Sequence, residues 1–401
     1  MPSMRVLLLH NAYDSRGGED EVVARESDLL ASAGQDTRCV VVTNSRLKNP
    51  IRAILAGISL PYSRPARRRL TRLLAETTPD IVHLHNYFPL LTPSVLDSCI
   101  DARIPVVHTL HNYRFFCANG LLLRHGSPCQ LCLHGSPFNA ARFKCYRESR
   151  AASLAVARMV EKHRRLQTWQ SKVDRFIAPS AYCKDLLTSA GLPGERIVVK
   201  PHFTLHSESA PARKRQEYAL YVGRLSSEKG IATLLEAWKE VPHRLHIVGD
   251  GPLRHVVQSS ASENNRITYL GPMGRSGVDT ELQGAAYLVF PSLLPETFGM
   301  TIIEAYAQGT PVLASRLGSQ AQLVEDHVTG LQFEAGNSLE LAEKALWMSA
   351  RVAERQEMGV QARFQYEQKY TAKKNLELLL AIYNDARRDA FERGNRGRIP
   401  R

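Results

Sequence analysis

The chain has 401 residues, 44% of them hydrophobic and 23% charged, an ordinary globular mixture that excludes a disordered or collagen-like protein and a single small binding module. Its net charge of +13 sits almost wholly in the first 200 residues, which carry 28 basic against 16 acidic side chains. That half therefore points to an anionic partner: nucleic acid, an acidic membrane surface or a phosphorylated substrate.

The chain opens on Val6-Leu7-Leu8-Leu9, a short continuous apolar run of the kind a parallel strand shows when helices cover both its faces. It is too short for a signal peptide, and no stretch approaches the roughly 20 apolar residues that cross a bilayer. A cytoplasmic protein is expected. Arg16-Gly17-Gly18-Glu19 follows and opens an amphipathic stretch, the paired glycines allowing close backbone approach to a ligand. Next come a basic stretch with Arg64, Arg67, Arg68, Arg69 and Arg72, a strand at 81–84 flanked by His83 and His85, which read as structural, and a strand at 104–107 followed by His111.

An insert then carries Cys117, Cys129, Cys132 and Cys145, spaced x11, x2 and x12. Four cysteines in a long chain without a secretory signal suggest metal before disulfide, and a tetrahedral structural zinc is the favoured reading. His125 and His134 could replace either distal ligand, and free thiols, disulfides or an iron–sulfur cluster are the alternatives. A basic helix with Arg150, Arg158, Lys162, Arg164, Arg165 and Lys172 comes after it.

The polar, basic stretch 207–216 separates two strand-like segments and reads as a linker, after which strands at 219–222, 245–248, 267–270, 287–290 and 311–314 alternate with helices. The expected fold is therefore α/β, with two Rossmann-like doubly wound domains facing a cleft and a last helix, 372–388, crossing back over the hinge. The divisions are 1–205 with an insert at about 112–150, 206–370, and a helix with basic tail at 371–401.

Two motifs in the second half carry chemistry. Gly223-Arg224-Leu225-Ser226-Ser227-Glu228-Lys229 follows its first strand, and Glu296-Thr297-Phe298-Gly299-Met300-Thr301-Ile302-Ile303-Glu304 straddles a helix start. Both carboxylates can face one ligand lying across that helix, where the free N–H groups of residues 299–301 and the helix dipole suit a diphosphate. Arg224 can grip phosphate oxygens bidentately and Lys229 adds a mobile point charge. The chain has no Asp-x-Asp, and no catalytic metal is expected. Gly249-Asp250-Gly251-Pro252 lacks the last glycine of a dinucleotide fingerprint, because Arg254 stands there.

On these motifs the sequence resembles the retaining glycosyltransferases of family 4, with the GT-B architecture, over most of its length and most strongly from 218 to 330. The resemblance implies that Glu296 contacts donor sugar hydroxyls, that Glu304 contacts the nucleotide ribose, and that Arg224 and Lys229 form the phosphate clamp. Gly223, Phe298, Gly299, Met300 and Thr301 would complete the donor site, Gly17 and Gly18 the glycine loop facing the diphosphate, and His111 would orient the donor sugar. Ser319 and Gln322 depart from the family, which often has glycine and glutamate there.

The implied reaction is transfer from a UDP- or GDP-sugar to a hydroxyl of a lipid-linked or cell-envelope glycan. It would take place at the inner face of the cytoplasmic membrane, where the basic first domain docks. Nucleic acid is not expected as a partner, since the basic stretches lack interleaved aromatic platforms. The rival readings are a GT-B epimerase acting without an acceptor and a non-catalytic nucleotide-sugar-binding scaffold.

Overall fold

The computed structural model describes residues 3–13, 17–205 and 215–396. Arg16, most of the expected linker (206–214) and the end of the basic tail lie outside the described residues.

Residues up to 122, 129–200 and those from 375 onward form one compact unit; 123–128 and 201–374 form a second. The first holds β1 (Arg5–Ala12), β2 (Asp36–Thr43), β3 (Ile81–Asn86), β4 (Val106–Thr109), β7 (Arg175–Ala178) and β8 (Ile197–Val199); the hairpin β5 (Leu123–Arg124) and β6 (Ser127–Pro128), which falls between β4 and β7 in the chain, is grouped with the second. The sheet is parallel in the order β2-β1-β3-β4-β7-β8. The apolar run of β1 is continuous because both faces are covered. Leu7 and Leu9 join a core with Leu84, Val106 and Phe176, while Val6 and Leu8 face the last helix through Leu379, Ile382, Tyr383 and Ala386. Each such burial contributes about 1.5–3 kcal/mol before entropy is charged.

That helix runs Ala372–Arg396, longer than its sequence suggests. From residue 375 it is part of the first unit's core rather than a separate element. The expected basic helix at 150–172 is broken: Arg150–Arg165 and Thr168–Lys172 are separate, with Gln167 at φ 46 between them.

The second unit holds β9 (Tyr218–Val222), β10 (Arg244–Val248), β11 (Ile267–Gly271), β12 (Tyr287–Phe290), β13 (Val312–Ser315) and β14 (Gly330–Phe333). All are parallel, in the order β11-β10-β9-β12-β13-β14. Strand order reverses between β9 and β12 here, and between β1 and β3 in the first sheet. In open α/β sheets ligands collect at the carboxyl ends of strands at such points. Among the described residues no helix is long and apolar enough to cross a membrane.

Candidate functional site

The loops leaving β9 and β12 are locked together at the second sheet's reversal point. Leu293 N–H donates to the Glu228 carbonyl at 2.8 Å. Gly230 ends the short turn Ser227–Lys229 at φ 75, and a Cβ there would lie 1.8 Å from the Pro291 carbonyl oxygen, so only glycine fits. This fixes Lys229 over the second loop, where its Nζ donates to Glu296 Oε1 at 2.5 Å. Ser292 Oγ donates to the same oxygen at 2.8 Å, and the Glu296 carbonyl accepts the Ser319 N–H at 3.2 Å. The segment that departs from the family at Ser319 thus backs the glutamate loop. Arg224 is exposed on the same turn and forms no ion pair with a described residue.

The helix Met300–Ala307 begins at Gly299 with no side-chain cap, and Met300 and Thr301 are half-buried at its start. A Cβ on Gly299 would lie 2.7 Å from Ile302 Cδ1, and one on Gly223 would lie 3.0 Å from the Tyr221 hydroxyl. Two expected donor-site residues are buried. Phe298 is buried in the core, its ring 5.2 Å from that of His202. Glu304 is buried and paired with Arg275, which also donates to Thr204 Oγ1 at 2.6 Å and to Asp279 at 3.1 Å. Arg275 was not singled out in the sequence because its partner lies 29 residues away.

In the first unit Gly17 caps the helix Gly18–Ser32 in extended backbone, and the nearest atom to a Cβ there would be Asp20 Oδ2 at 4.0 Å. Packing therefore does not demand glycine at 17. Its N–H is taken by Asp20 Oδ2 at 2.8 Å, so a carboxylate of the chain already occupies this helix start, where a diphosphate was expected. Asp20 Oδ1 meets His10 Nε2 at 2.8 Å.

Neighbouring Glu19 is pushed up to about 8, first by burial and then by the Asp20 charge, with Arg114 and Asn112 opposing. Raised above its unfolded value, Glu19 binds its proton more tightly in the native state, so stability falls as pH rises from about 4.5 to about 8. Glu19→Gln is expected to match wild type near pH 4 and to exceed it by about 2 kcal/mol or more near pH 8.5, measured by denaturant unfolding at both pH values.

His111 lies two residues beyond β4, half-buried, with Nε2 3.0 Å from His85 Nδ1. The cysteine insert is held by another group. Arg114 donates to the carbonyls of Ala118 at 2.5 Å and Asn119 at 3.1 Å and lies 4.0 Å over the Phe88 ring. None of the four cysteines is in a disulfide, and Cys132 is pushed up to about 12 by burial and then by Cys117, Cys145 and Cys129. A tetrahedral zinc at 2.3 Å holds its sulfurs about 3.8 Å apart. Among the described residues, however, the group with three ligand atoms within 4.8 Å of one another is Glu26, His83 and His85, not the cysteines. As placed, the four thiols do not fit a single zinc.

Comparison with known proteins joins these observations. The family model described as Glycosyltransferase Family 4 matches residues 3–204, and that described as Glycosyl transferases group 1 matches 203–365. The chain belongs to glycosyltransferase family 4. Among curated relatives of this glycosyltransferase, an uncharacterised glycosyltransferase of Methanocaldococcus jannaschii is 26% identical over 53% of the chain, which spans 60% of that protein. Phosphatidyl-myo-inositol mannosyltransferase of Mycobacterium leprae is 24% identical over 83% of both chains. O-antigen chain mannosyltransferase C of Escherichia coli is 22% identical over 95% of this chain and 98% of that one. Among solved structures, Anabaena HepE in complex with UDP aligns with TM-score 0.65 and 18% identity over 95% of this chain and 100% of that one. Sucrose-phosphate synthase from Thermosynechococcus elongatus gives 0.67 and 18% over 95% and 98%. These likenesses establish the GT-B fold.

Proposed function

We propose that this glycosyltransferase moves a sugar from a UDP- or GDP-sugar to a hydroxyl of a lipid-linked or cell-envelope glycan, with retention at the anomeric carbon. The observation that carries this reading is the Lys229–Glu296 pair beside the exposed Arg224 at the reversal point of the second sheet. An incoming diphosphate draws Lys229 away from Glu296 and is gripped by Arg224, and the released carboxylate accepts hydrogen bonds from sugar hydroxyls. The bond from the anomeric carbon to phosphate oxygen breaks, the bond to the acceptor oxygen forms on the same face, and the acceptor proton passes to the leaving diphosphate. Fixed cations stabilise the charge that develops there. HepE's complexes with UDP and with UDP-glucose, and the mannosyltransferase names of the relatives, favour this donor and acceptor chemistry.

Thermal unfolding with a panel of UDP- and GDP-sugars tests the reading. One donor at about 100 times its Kd is expected to stabilise by about 2.7 kcal/mol. No shift with any donor, or donor consumed without an acceptor, overturns it.

The membrane part of the proposal rests on the helix Pro50–Ser59, which buries none of its side chains. Ile51, Ile54, Leu55 and Ile58 are 58–72% exposed and fall at i, i+3, i+4 and i+7, a single apolar stripe. Arg64, Arg67, Arg68 and Arg72, which follow soon after it in sequence, line an open cavity together with Lys162. Arg67 is spent on Asp101 at 2.6 Å, and Lys172, Arg164 and Arg165 on Asp97 and Glu161. Of the cavity's cations that leaves Arg64, Arg68, Arg72 and Lys162 for anionic headgroups, each worth about 1 kcal/mol near the surface. Co-sedimentation with phosphatidylglycerol vesicles is expected at low salt and should be lost in Ile54→Asp/Ile58→Asp; equal behaviour of the two proteins counts against the helix.

A further inference from the structure

Ser292, Ser315 and Gln320 form a buried polar chain behind the glutamate loop of the second unit, each at most 2% exposed. Ser315 closes β13, and Gln320 opens the short helix Gln320–Leu323. The turn between them packs closely on the loop: a Cβ on Gly318 would lie 2.6 Å from Pro295 Cα and 2.9 Å from the Glu296 nitrogen. Gln320 Nε2 donates to the Leu294 carbonyl at 2.9 Å and to Ser315 Oγ at 3.3 Å. Ser315 Oγ donates to the Ser292 carbonyl at 2.6 Å. Ser292 Oγ in turn accepts the Leu294 N–H at 3.3 Å and donates to Glu296 Oε1 at 2.8 Å.

The direction of every donor in this chain is fixed. The carbonyls of Leu294 and Ser292 only accept, so one proton of the Gln320 amide goes to Leu294 and the Ser315 hydroxyl proton goes to Ser292. The second amide proton then fills a Ser315 lone pair. A Gln320 turned the other way would set its own oxygen against the Leu294 carbonyl. As it stands, Gln320 Oε1 is buried with no hydrogen-bond partner. An unpaired buried acceptor is destabilising, and a methionine fills similar space without one, so the side chain is explained by its two donors and not by its packing.

We infer that Gln320 is a positioning residue for Glu296: through Ser315 and Ser292 it holds the loop so that the carboxylate keeps its aim once Lys229 has left it. Both hydrogen bonds to the carboxylate, from Lys229 and from Ser292, fall on Oε1. When a diphosphate draws Lys229 away, the Ser292 hydroxyl is the group that still orients the carboxylate and presents Oε2 to the sugar. The inference rests on the proposed contact of Glu296 with the donor sugar and adds what keeps that carboxylate in place. Gln320 lies between Ser319 and Gln322, where the chain departs from its family, so the resemblance gives it no role.

Hydrogen exchange of the ligand-free chain reads the loop without any reaction. The amides of Leu293, Leu294 and Glu296 are all hydrogen-bonded, to the Glu228 carbonyl, Ser292 Oγ and the Leu294 carbonyl. Gln320→Met, which keeps the volume and removes both donors, is expected to speed their exchange about 10-fold or more while β10 and β11, on the far side of the same sheet, exchange as in wild type. Exchange unchanged in the loop, or raised equally in β10 and β11, overturns the inference. Should Gln320→Met not fold, Ser315→Ala breaks the same chain one link on and is read in the same way.

Calorimetric binding then ties the loop to the sugar. UDP and GDP should bind Gln320→Met within about 2-fold of wild type, whereas the UDP- or GDP-sugar selected by the thermal panel should lose about 10-fold. Glu296→Gln/Gln320→Met should lose no more than Glu296→Gln alone, because the two act through one carboxylate. Equal weakening of nucleotide and nucleotide sugar, or additive losses in the double variant, would leave Gln320 a merely structural role. If Glu296→Gln by itself leaves the affinity for the sugar nucleotide relative to the bare nucleotide unchanged, the proposed sugar contact fails, and the exchange result still decides whether Gln320 holds the loop.

Discussion

Lys200→Met is expected to destabilise the protein by about 3–5 kcal/mol, the cost of leaving a buried carboxylate without its counter-ion. Both Lys200 and Glu26 side chains are fully buried, and Glu26 Oε2 has no hydrogen bond to fall back on. The double variant Glu26→Gln/Lys200→Met should recover most of that loss, because two neutral side chains replace a pair whose desolvation was costly to begin with. Denaturant unfolding of the three proteins checks this; a Lys200→Met protein within about 0.5 kcal/mol of wild type would show that water reaches the site. The pair matters beyond its own energy because it gathers distant parts of the chain. Glu26 comes from the first helix, Lys200 from the residue after β8 and Asn375, to which Lys200 also donates, from the last helix, so a fault here loosens the interior of the first unit.

The same cluster shows where sequence reading stops. Strands such as β1, β4, β9 and β12 were legible because burial on both faces leaves continuous apolar runs. The turn after β9 and the glutamate loop could be singled out because each is a run of adjacent residues, and the structure brings them together through Lys229 and Glu296. Lys200 and Glu26 are 174 positions apart, and His83 and Tyr383 are 300 apart; periodicity carries no trace of such contacts. His83 and His85 therefore read alike in the sequence. In the structure His83 spends both ring nitrogens, on the Tyr383 hydroxyl and Thr109 Oγ1, while His85 Nδ1 meets His111 Nε2. The surroundings of Phe298 and Glu304 were hidden for a related reason. Their spacing from Glu296 is right, but neighbours remote in sequence, His202 and Arg275, decide that one ring is core and that one carboxylate already has a cation. The cysteine spacing carries no sign of Arg114, whose guanidinium holds the carbonyls of Ala118 and Asn119 at the start of that insert.

Removing the two cations of the turn after β9 should give the largest effect on activity, and the two should not fail alike. Arg224→Ala removes an exposed guanidinium that forms no ion pair with a described residue, so the fold should be unaffected while kcat falls about 10²–10³-fold, the scale of losing one fixed donor to developing charge. Lys229→Ala removes the same kind of support but also leaves the Glu296 carboxylate, among the described residues, with the Ser292 hydroxyl at 2.8 Å. Its carboxylate is then free before the donor arrives, and its repulsion for the diphosphate is no longer offset, so donor KM should rise together with the fall in kcat. Glu296→Gln separates the two roles. With the anion gone, Lys229 no longer has a partner to leave, and nucleotide alone should bind at least as tightly as to wild type while sugar transfer drops. Steady-state kinetics of the three variants, with calorimetric binding of UDP and GDP, decides the matter. If Glu296→Gln weakens binding of the bare nucleotide, the ion pair is scaffolding for the loop rather than a switch that the diphosphate opens.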